Sequence, residues 1–291
     1  MKPPPFDYEV AESIDDALTR LRNGGEDAKL LAGGQSLMPL MNYRLARPSV
    51  LIDINRIPRS ADITVGNEQI TLGALVRHHK LETSPTIAEQ LPLLREAAGW
   101  IAHPQIRTRG TMGGSLAHSD ASAELPVALM ALDAEVLVRS LRGERTLAIQ
   151  DLVVGHFVSS LAPDEMITEI HVPRLPAGTG TAFGEFARRH GDYAIGGAAA
   201  VLTLDEWGVC TRARITVLGG GPTALRCHEA EALVTGEVVE DPIIAETAVA
   251  AITGLTPMPN LHGDSNYRRQ VIATMVSRTV TEAARRARSN S

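Results

Sequence analysis

KLLAGGQS, residues 29–36, decides how the chain is read. Residues 29–32 form the apolar run of a short buried strand, which empties directly into Gly33-Gly34-Gln35-Ser36, and residues 50–54 supply another buried strand. A second loop of the same design, Thr111-Met112-Gly113-Gly114-Ser115, lies inside residues 101–118, a stretch without regular periodicity that reads as a long loop. A glycine doublet has two physical readings. It makes a tight turn, because glycine reaches positive φ without steric cost, or it turns successive backbone N–H groups into one concavity that holds an anion. Hydroxyls of Ser36, Thr111 and Ser115 would add donors, and two such loops facing each other suit a diphosphate better than a single phosphate. Each hydrogen bond to a charged group nets about 1.5–3 kcal/mol, so tight retention needs several acting together.

Outward from these loops the pattern is mixed. Ser13 and Asp16 form an S-x-x-D capping box before Ile14, Ala17, Leu18 and Leu21, and Gly24-Gly25 stop that helix. Residues 63–65 and 69–72 flank a Gly66-Asn67 turn and read as a hairpin. Helical periodicity is expected over 86–100 and 122–132, the latter with Glu124 in its first turn, and strands over 134–138, 146–149 and 166–172. Residues 173–180, with two prolines and two glycines, mark a boundary. Beyond it, 182–188, 193–204 and 209–218 read as an antiparallel meander, followed by helices over 226–233, 242–252 and 267–288. The last helix carries Arg268, Arg269, Arg278, Arg285, Arg286 and Arg288, which reads as a solvated face or as a subunit contact. No fixed-period repeat occurs, and the fold class is α+β.

Composition narrows the function. The 291 residues suit about two domains. Four Tyr, four Phe and two Trp give too few rings for a platform that stacks single-stranded nucleic acid, and a net charge of −6 repels a phosphate backbone on average. Cys210 and Cys227 form no C-x-x-C, so this chain alone builds no iron–sulfur cluster and no cysteine-based zinc site; no metal site is expected. No Gly-Lys pair exists, which removes the P-loop. Gly178, Gly180 and Gly184 imitate a dinucleotide fingerprint, but Pro173 and Pro176 precede them and a strand follows. His78 and His79 are adjacent without H-E-x-x-H, Gly34-Gln35-Ser36-Leu37-Met38 lacks the second glycine of a nucleophile elbow, and lysine occurs only at positions 2, 29 and 80. The apolar stretch at 194–204 is far shorter than the roughly 20 residues of a membrane span, and the N-terminus lacks an apolar leader core; a cytoplasmic chain is expected.

Four runs then become recognisable: LLAGGQSLMPLMNYRLARPSVLIDINRI at 30–57, HPQIRTRGTMGGSLAHSDASAELPVALMALDAEV at 103–136, RRHGDYAIGGAAAVL at 188–202 and HGDSNYRR at 262–269. Together they resemble the FAD-binding medium subunit of the molybdenum hydroxylases, the carbon monoxide dehydrogenase and xanthine dehydrogenase group. The resemblance implies a two-part FAD-binding domain of the vanillyl-alcohol-oxidase (PCMH) type over 1–175, with subdomains at about 1–56 and 57–175. A C-terminal domain of antiparallel sheet plus helices would follow over 176–291. It also implies partners: a large molybdopterin subunit and a small subunit with 2Fe–2S clusters, assembled as a dimer of heterotrimers. Electrons would pass from the clusters through non-covalently held FAD to an external acceptor, with no substrate chemistry on this chain.

Carried over by position, the resemblance places Ala32, Gly33, Gly34, Gln35 and Ser36, with Thr111, Gly113, Gly114 and Ser115, around the FAD diphosphate. Glu124 would hydrogen-bond the cofactor through a ribose, Ile167 would lie near the adenine end, and Asp192-Tyr193 would bring a gating tyrosine near the isoalloxazine ring; from the residues alone, Tyr193 is an ordinary strand aromatic. Residues 103–107 would run along the flavin or the cluster-bearing partner, with Arg107 a candidate to stabilise anionic reduced flavin. Three positions depart from the family pattern: Glu185 stands where relatives carry a lysine directed at the flavin, Gln35 replaces a histidine associated with carbon monoxide oxidisers, and Ala121 follows Asp120 where relatives have proline. The Gln35 departure favours N-heteroaromatic or aldehyde substrates. The rival readings are a free-standing flavin-dependent oxidase or reductase, which needs an acid or base drawn from His78, His79, His103 and His118, and a non-enzymatic assembly scaffold.

Overall fold

A computed structural model describes residues 2–290. Its first sheet opens with a strand that sequence periodicity misses, β1 (Asp7–Val10), four residues of which none is fully buried. Helix α1 (Ile14–Gly24) follows, with Ser13 Oγ accepting the Asp16 N–H at 3.1 Å as the capping box requires, and buries Ala17, Leu18 and Leu21. Next come β2 (Ala28–Leu31), a six-residue helix α2 (Leu37–Asn42) where only a loop is expected, and β3 (Val50–Asp53). The three strands are parallel, in the order β1-β3-β2.

The second sheet begins with the expected hairpin, β4 (Ile63–Val65) and β5 (Gln69–Gly73), in the register Ile63↔Leu72. Five helices come next: α3 (His78–Thr83), α4 (Pro85–Gln90), α5 (Pro92–Trp100), α6 (Pro104–Arg107) and α7 (Met112–His118). Two expectations are corrected here. The helix expected over 86–100 is broken at Leu91, because Pro92 cannot continue it and instead starts a new one. The long loop expected over 101–118 contains two short helices, one begun by Pro104 and one capped by Thr111, each too short to show a period.

Helix α8 (Glu124–Ala131) is buried along its whole length after Glu124, as a helix apolar on every side must be. Strands β6 (Glu135–Ser140) and β7 (Gly143–Ala148), the short helix α9 (Ile149–Leu152), the small hairpin β8 (Val153–Gly155) and β9 (Val158–Ser159), and β10 (Met166–Pro173) close this half. The sheet runs β4-β5-β10-β6-β7, antiparallel throughout.

The expected meander is β11 (Thr179–Phe186), β12 (Gly196–Leu204) and β13 (Cys210–Leu218), with a two-residue β14 (Leu225–Arg226) at the edge. Strand β12 starts at Gly196, so Tyr193 stands on the loop before it and not in a strand. Helices α10 (His228–Val234), α11 (Asp241–Ala251) and α12 (Ser265–Ser289) complete the chain. α12 crosses β11 so closely that a Cβ on Gly180 would lie 2.0 Å from the Ala283 carbonyl oxygen, which accounts for a glycine inside this strand. Its arginines are not a uniformly solvated face. Arg268 is buried and donates to the Ile195 and Met258 carbonyls at 3.0 and 2.9 Å, while Arg286 pairs with Glu96 and Glu282.

The other face of the meander joins the core of the second sheet's helices. Phe183, Ala199, Val201 and Leu218 share one buried cluster with Leu94, Ala98 and Leu129. An ionic clasp reinforces this seam: Asp133, just after α8, accepts from Arg212, Arg214 and Arg226 at 2.6–2.8 Å. Burial opposes ionisation of Asp133, but hydrogen bonds from Arg214 and Arg212 outweigh it and hold the carboxyl below its ordinary 3.8. Its contribution to stability is therefore present above 3.8 and is lost as pH falls through the depressed value. Asp133→Asn, which tolerates the local φ of 51°, should cost about 2 kcal/mol at pH 7 by denaturant unfolding, below the 3–5 kcal/mol of a fully buried pair because the side chain is 26% exposed. The difference from wild type should shrink in acid, and an unchanged midpoint at pH 7 would contradict the clasp.

Candidate cofactor site

Strand β2 delivers Ala32–Ser36 to one side of a cleft of about 570 Å³. The loop is held from behind. Asn55, just past β3, donates from Nδ2 to the Leu31 and Ala32 carbonyls at 3.3 and 2.8 Å; its Oδ1 accepts from Arg77 at 2.6 Å, and Arg77 also donates to the Arg109 carbonyl. Gly33 is pressed against that same carbonyl: a Cβ there would lie 2.3 Å from Arg109 O, and Gly34 follows at φ 73°. Glycine is thus required twice, once for contact and once for conformation. Among the described residues, the backbone N–H groups of Gly33, Gly34, Gln35 and Ser36 donate to no protein acceptor. Buried or half-buried amides seldom stay unclaimed, so this row is built to receive acceptor atoms from outside the chain.

The second glycine loop has a different design from the first. Met112 N–H donates to Val76 O, Gly113 N–H to Ala74 O, Gly114 N–H to Thr111 Oγ1 and Ser115 N–H to Thr111 O, at 2.8–3.2 Å. Its amides are spent inside the protein, and its glycines serve packing: a Cβ on Gly113 would lie 2.8 Å from that of Ala74. Thr111 and Gly113 therefore stand behind the cleft, while Gly114 and Ser115 line it. Ala32–Ser36, Glu124, Asp192 and Tyr193 line it as well. Ile167 does not; it is buried on β10 in the core beneath.

Leu37, Leu40, Ile101, Ala102 and Ile106 give the cleft an apolar wall, and Lys29, His78, His118, Asp120 and Ser122 add polar groups to its lining. Tyr193 is 76% exposed at the mouth, on a loop anchored where His190 stacks on Trp100 at 5.2 Å between centroids. Burial, and then the Asp120 carboxylate, push the Glu124 carboxyl above its usual range. Asp120 Oδ1 accepts the Ser122 N–H at 2.9 Å, so the turn into α8 closes without a proline at position 121. Arg107 does not line the cleft and has a structural role: it is buried, paired with Glu82 at 2.8 Å and bonded to the Ile101 and Ala102 carbonyls at 2.9 and 3.2 Å, which commits four of its five N–H donors inside the protein.

Sequence reading overlooked Asn55 and Arg77, whose polarity beside a strand end is ordinary until the fold brings positions 55, 77 and 109 together. It weighed His78 only as a catalytic base. Burial drives His78 down to about 4, so it is neutral and donates from Nε2 to Thr111 O at 2.9 Å. The thiols of Cys210 and Cys227 are pushed up by burial to about 11 and about 12, values of inert side chains. Among the described residues no group of three His, Cys, Asp or Glu side chains converges on a common metal position.

Comparison with known proteins shows the family. Residues 4–175 match the model of the FAD binding domain in molybdopterin dehydrogenase, and residues 181–283 match the CO dehydrogenase flavoprotein C-terminal domain. The chain belongs to the FAD-binding medium-subunit family of the molybdenum hydroxylases. It is 60% identical to the 6-hydroxypseudooxynicotine dehydrogenase complex subunit alpha of Paenarthrobacter nicotinovorans, covering 99% of this chain and 97% of that one. It is 40% identical to the nicotine 6-hydroxylase medium subunit of the same organism, over 98% and 100% of the two chains. The structure superposes on carbon monoxide dehydrogenase from Hydrogenophaga pseudoflava with a TM-score of 0.95 at 38% identity, covering 98% and 99%.

The expected fold is therefore present: a two-part FAD-binding domain followed by an antiparallel sheet with helices. The chain is an FAD-binding electron-transfer subunit of a multi-subunit oxidoreductase, which sets aside the free-standing oxidase and the scaffold. The cleft suits the cofactor: a row of unclaimed amides for phosphate oxygens, a glycine pair that lets them approach, and aliphatic walls for a ring system. Gly33→Ala, by driving the two loops apart, should lower FAD affinity at least tenfold in a flavin-fluorescence titration with the circular dichroism spectrum preserved. Unaltered affinity would contradict the loop contact.

Proposed function

We propose that this chain is the electron-exit subunit of a three-subunit molybdenum hydroxylase whose substrate is an N-heteroaromatic compound, oxidised on a partner chain. The full-length 60% identity to a subunit of 6-hydroxypseudooxynicotine dehydrogenase carries this reading, with nicotine 6-hydroxylase in support. Gln35 agrees, standing where carbon monoxide oxidisers are expected to carry histidine. A dimer of heterotrimers, a cytoplasmic location and an external electron acceptor belong to the same proposal, as does a division at 175/176 into cofactor and C-terminal domains; among the described residues no helix is long and apolar enough to cross a membrane.

Within this reading the N–H row of Gly33–Ser36 takes the diphosphate without a covalent bond, and Gly114 and Ser115 close the opposite wall. Glu124 accepts from ribose hydroxyls, Asp192 orders the mouth, and Ile167 supports the adenine end from the core without touching it. Bound FAD supplies the two-electron to one-electron exchange between 2Fe–2S clusters and the acceptor. Tyr193, exposed on a loop pinned by the His190–Trp100 stack, controls what reaches the ring.

Co-expression with large and small partner subunits should yield a complex carrying one FAD per copy of this chain and oxidising an N-heteroaromatic substrate. A colourless chain that takes up no FAD would overturn the assignment, and turnover by this chain alone would restore the free-standing oxidase. Tyr193→Ala should leave FAD content within twofold of wild type while changing the rate of flavin reoxidation several-fold in stopped-flow absorbance. Unchanged reoxidation would remove the gate.

A further inference from the structure

The motif HGDSNYRR, residues 262–269, does not line the cofactor cleft; it surrounds the start of α12. Asp264 caps that helix by accepting the Tyr267 N–H at 2.8 Å. The first residues of the helix then grip three carbonyls of the loop before it. Ser265 Oγ donates to Pro257 O at 2.6 Å, Arg268 Nη1 to Met258 O at 2.9 Å and Arg269 Nε to Leu255 O at 3.1 Å. Arg268 also reaches away from this loop: its Nε donates to Ile195 O at 3.0 Å. Ile195 is the last residue before β12 and stands two positions after Tyr193.

Arg268 is a costly residue to bury. It is 7% exposed, and among the described residues the ion pairs of α12 belong to Arg285 and Arg286, not to Arg268. Burial pulls its guanidinium below the ordinary value. It also stands one turn into the helix, at the end whose dipole disfavours a cation. A buried cation without a counter-ion is rare, and its N–H groups must at least be used. Here they join Ile195 to Met258, segments far apart in sequence, and a planar fork holds both carbonyls at a fixed spacing, as a compact ammonium does not. Gly219, at φ 74°, leaves the fork its space: a Cβ there would lie 3.0 Å from Arg268 Nη2 and 3.1 Å from Ile195 O.

The other end of the Tyr193 loop is fixed to the cofactor half of the chain. His190 stacks on Trp100. Gly191, at φ 91°, lies against the turn after α5: a Cβ on it would lie 2.5 Å from His103 Cε1 and 2.8 Å from Ala102 O. Asp192 and Tyr193 therefore hang between two anchors, both residues lining the cleft. We propose that Arg268 is a positioning residue for Tyr193, clamping one end of a short strap that spans the cleft mouth from Trp100 and His103 to the start of α12. The clamped point is Ile195, whose N–H donates to Phe186 O at 2.8 Å while its carbonyl accepts from Arg268. HGDSNYRR is thereby the motif that builds the clamp. The consequence for flavin reactivity rests on the gating role given to Tyr193 above; the clamp itself does not.

Two measurements on the full-length chain test this. Hydrogen exchange followed at single amides should find Ile195 protected at least tenfold over Tyr193 in the wild type, although both lie outside regular structure. In Arg268→Lys, which keeps the charge and gives up the fork, the Ile195 protection should fall at least fivefold while the amides of β13 stay within twofold of wild type. Should that variant not fold, Gly219→Ala, which crowds the guanidinium from the neighbouring turn, should loosen the same amide at least threefold. Equal exchange of Ile195 and Tyr193 in the wild type, an unchanged Ile195 amide in the variant, or the same loss throughout β13 would each overturn the clamp. With FAD bound, Arg268→Lys should change the flavin reoxidation rate in the same direction as Tyr193→Ala and add less than twofold to it in the double variant. Fully additive effects would overturn the action through Tyr193. If Tyr193→Ala itself leaves reoxidation unchanged, the gate is lost, and hydrogen exchange still decides the clamp.

Discussion

The contact between Gly33 and the Arg109 carbonyl fixes the geometry on which the rest of the molecule depends. It joins the end of the small parallel sheet to the turn before α7, with no room for a methyl group between them. Everything behind it serves to hold it. Asn55 ties the β2 end to Arg77, and Arg77 ties back to the Arg109 carbonyl, so one carbonyl receives a guanidinium from one side and a glycine from the other. What this join leaves over is a row of four amides that, among the described residues, donate to no protein acceptor. In the proposed function a cofactor diphosphate completes that row, and the donors are preformed because they are backbone groups set by the fold.

The two glycine doublets look equivalent in sequence and differ in function. At 33–34 the amides are free; at 113–114 the Ala74 carbonyl and the Thr111 side chain and carbonyl take them up, and the glycines answer a packing demand. Nothing local distinguishes the two, because what decides is which partner the rest of the chain brings alongside. The same limit explains the other gaps. The capping box at Ser13, the hairpin at 63–72 and the meander are written in near-neighbour patterns and are readable from them. By contrast β1, α2, α6 and α7 are each too short to carry a period, and Pro92 hides a helix break inside a continuous apolar pattern. Tyr193 looked like a strand aromatic because its apolar neighbours continue into β12; the strand starts three residues later and leaves the ring in solvent.

The scarcity of aromatic residues takes on meaning in this context. With four Phe, four Tyr and two Trp in the whole chain, the apolar part of the cleft wall is aliphatic, and Tyr193 at its mouth stands exposed. In the proposed function, binding falls to backbone donors at one end of the cleft, and control of access to the loop that carries Tyr193. That separation fits an FAD-binding electron-transfer subunit of a multi-subunit oxidoreductase.

In the proposed function, the unclaimed amides of Gly33–Ser36 hold the cofactor by its diphosphate. Calorimetric titration of the flavin-free chain with FAD and with riboflavin, which carries the same ring and no phosphate, measures this directly. Several charge-assisted hydrogen bonds at about 1.5–3 kcal/mol each predict FAD binding at least a hundredfold tighter than riboflavin. Equal affinities for the two would contradict it and place the binding energy in the ring pocket instead.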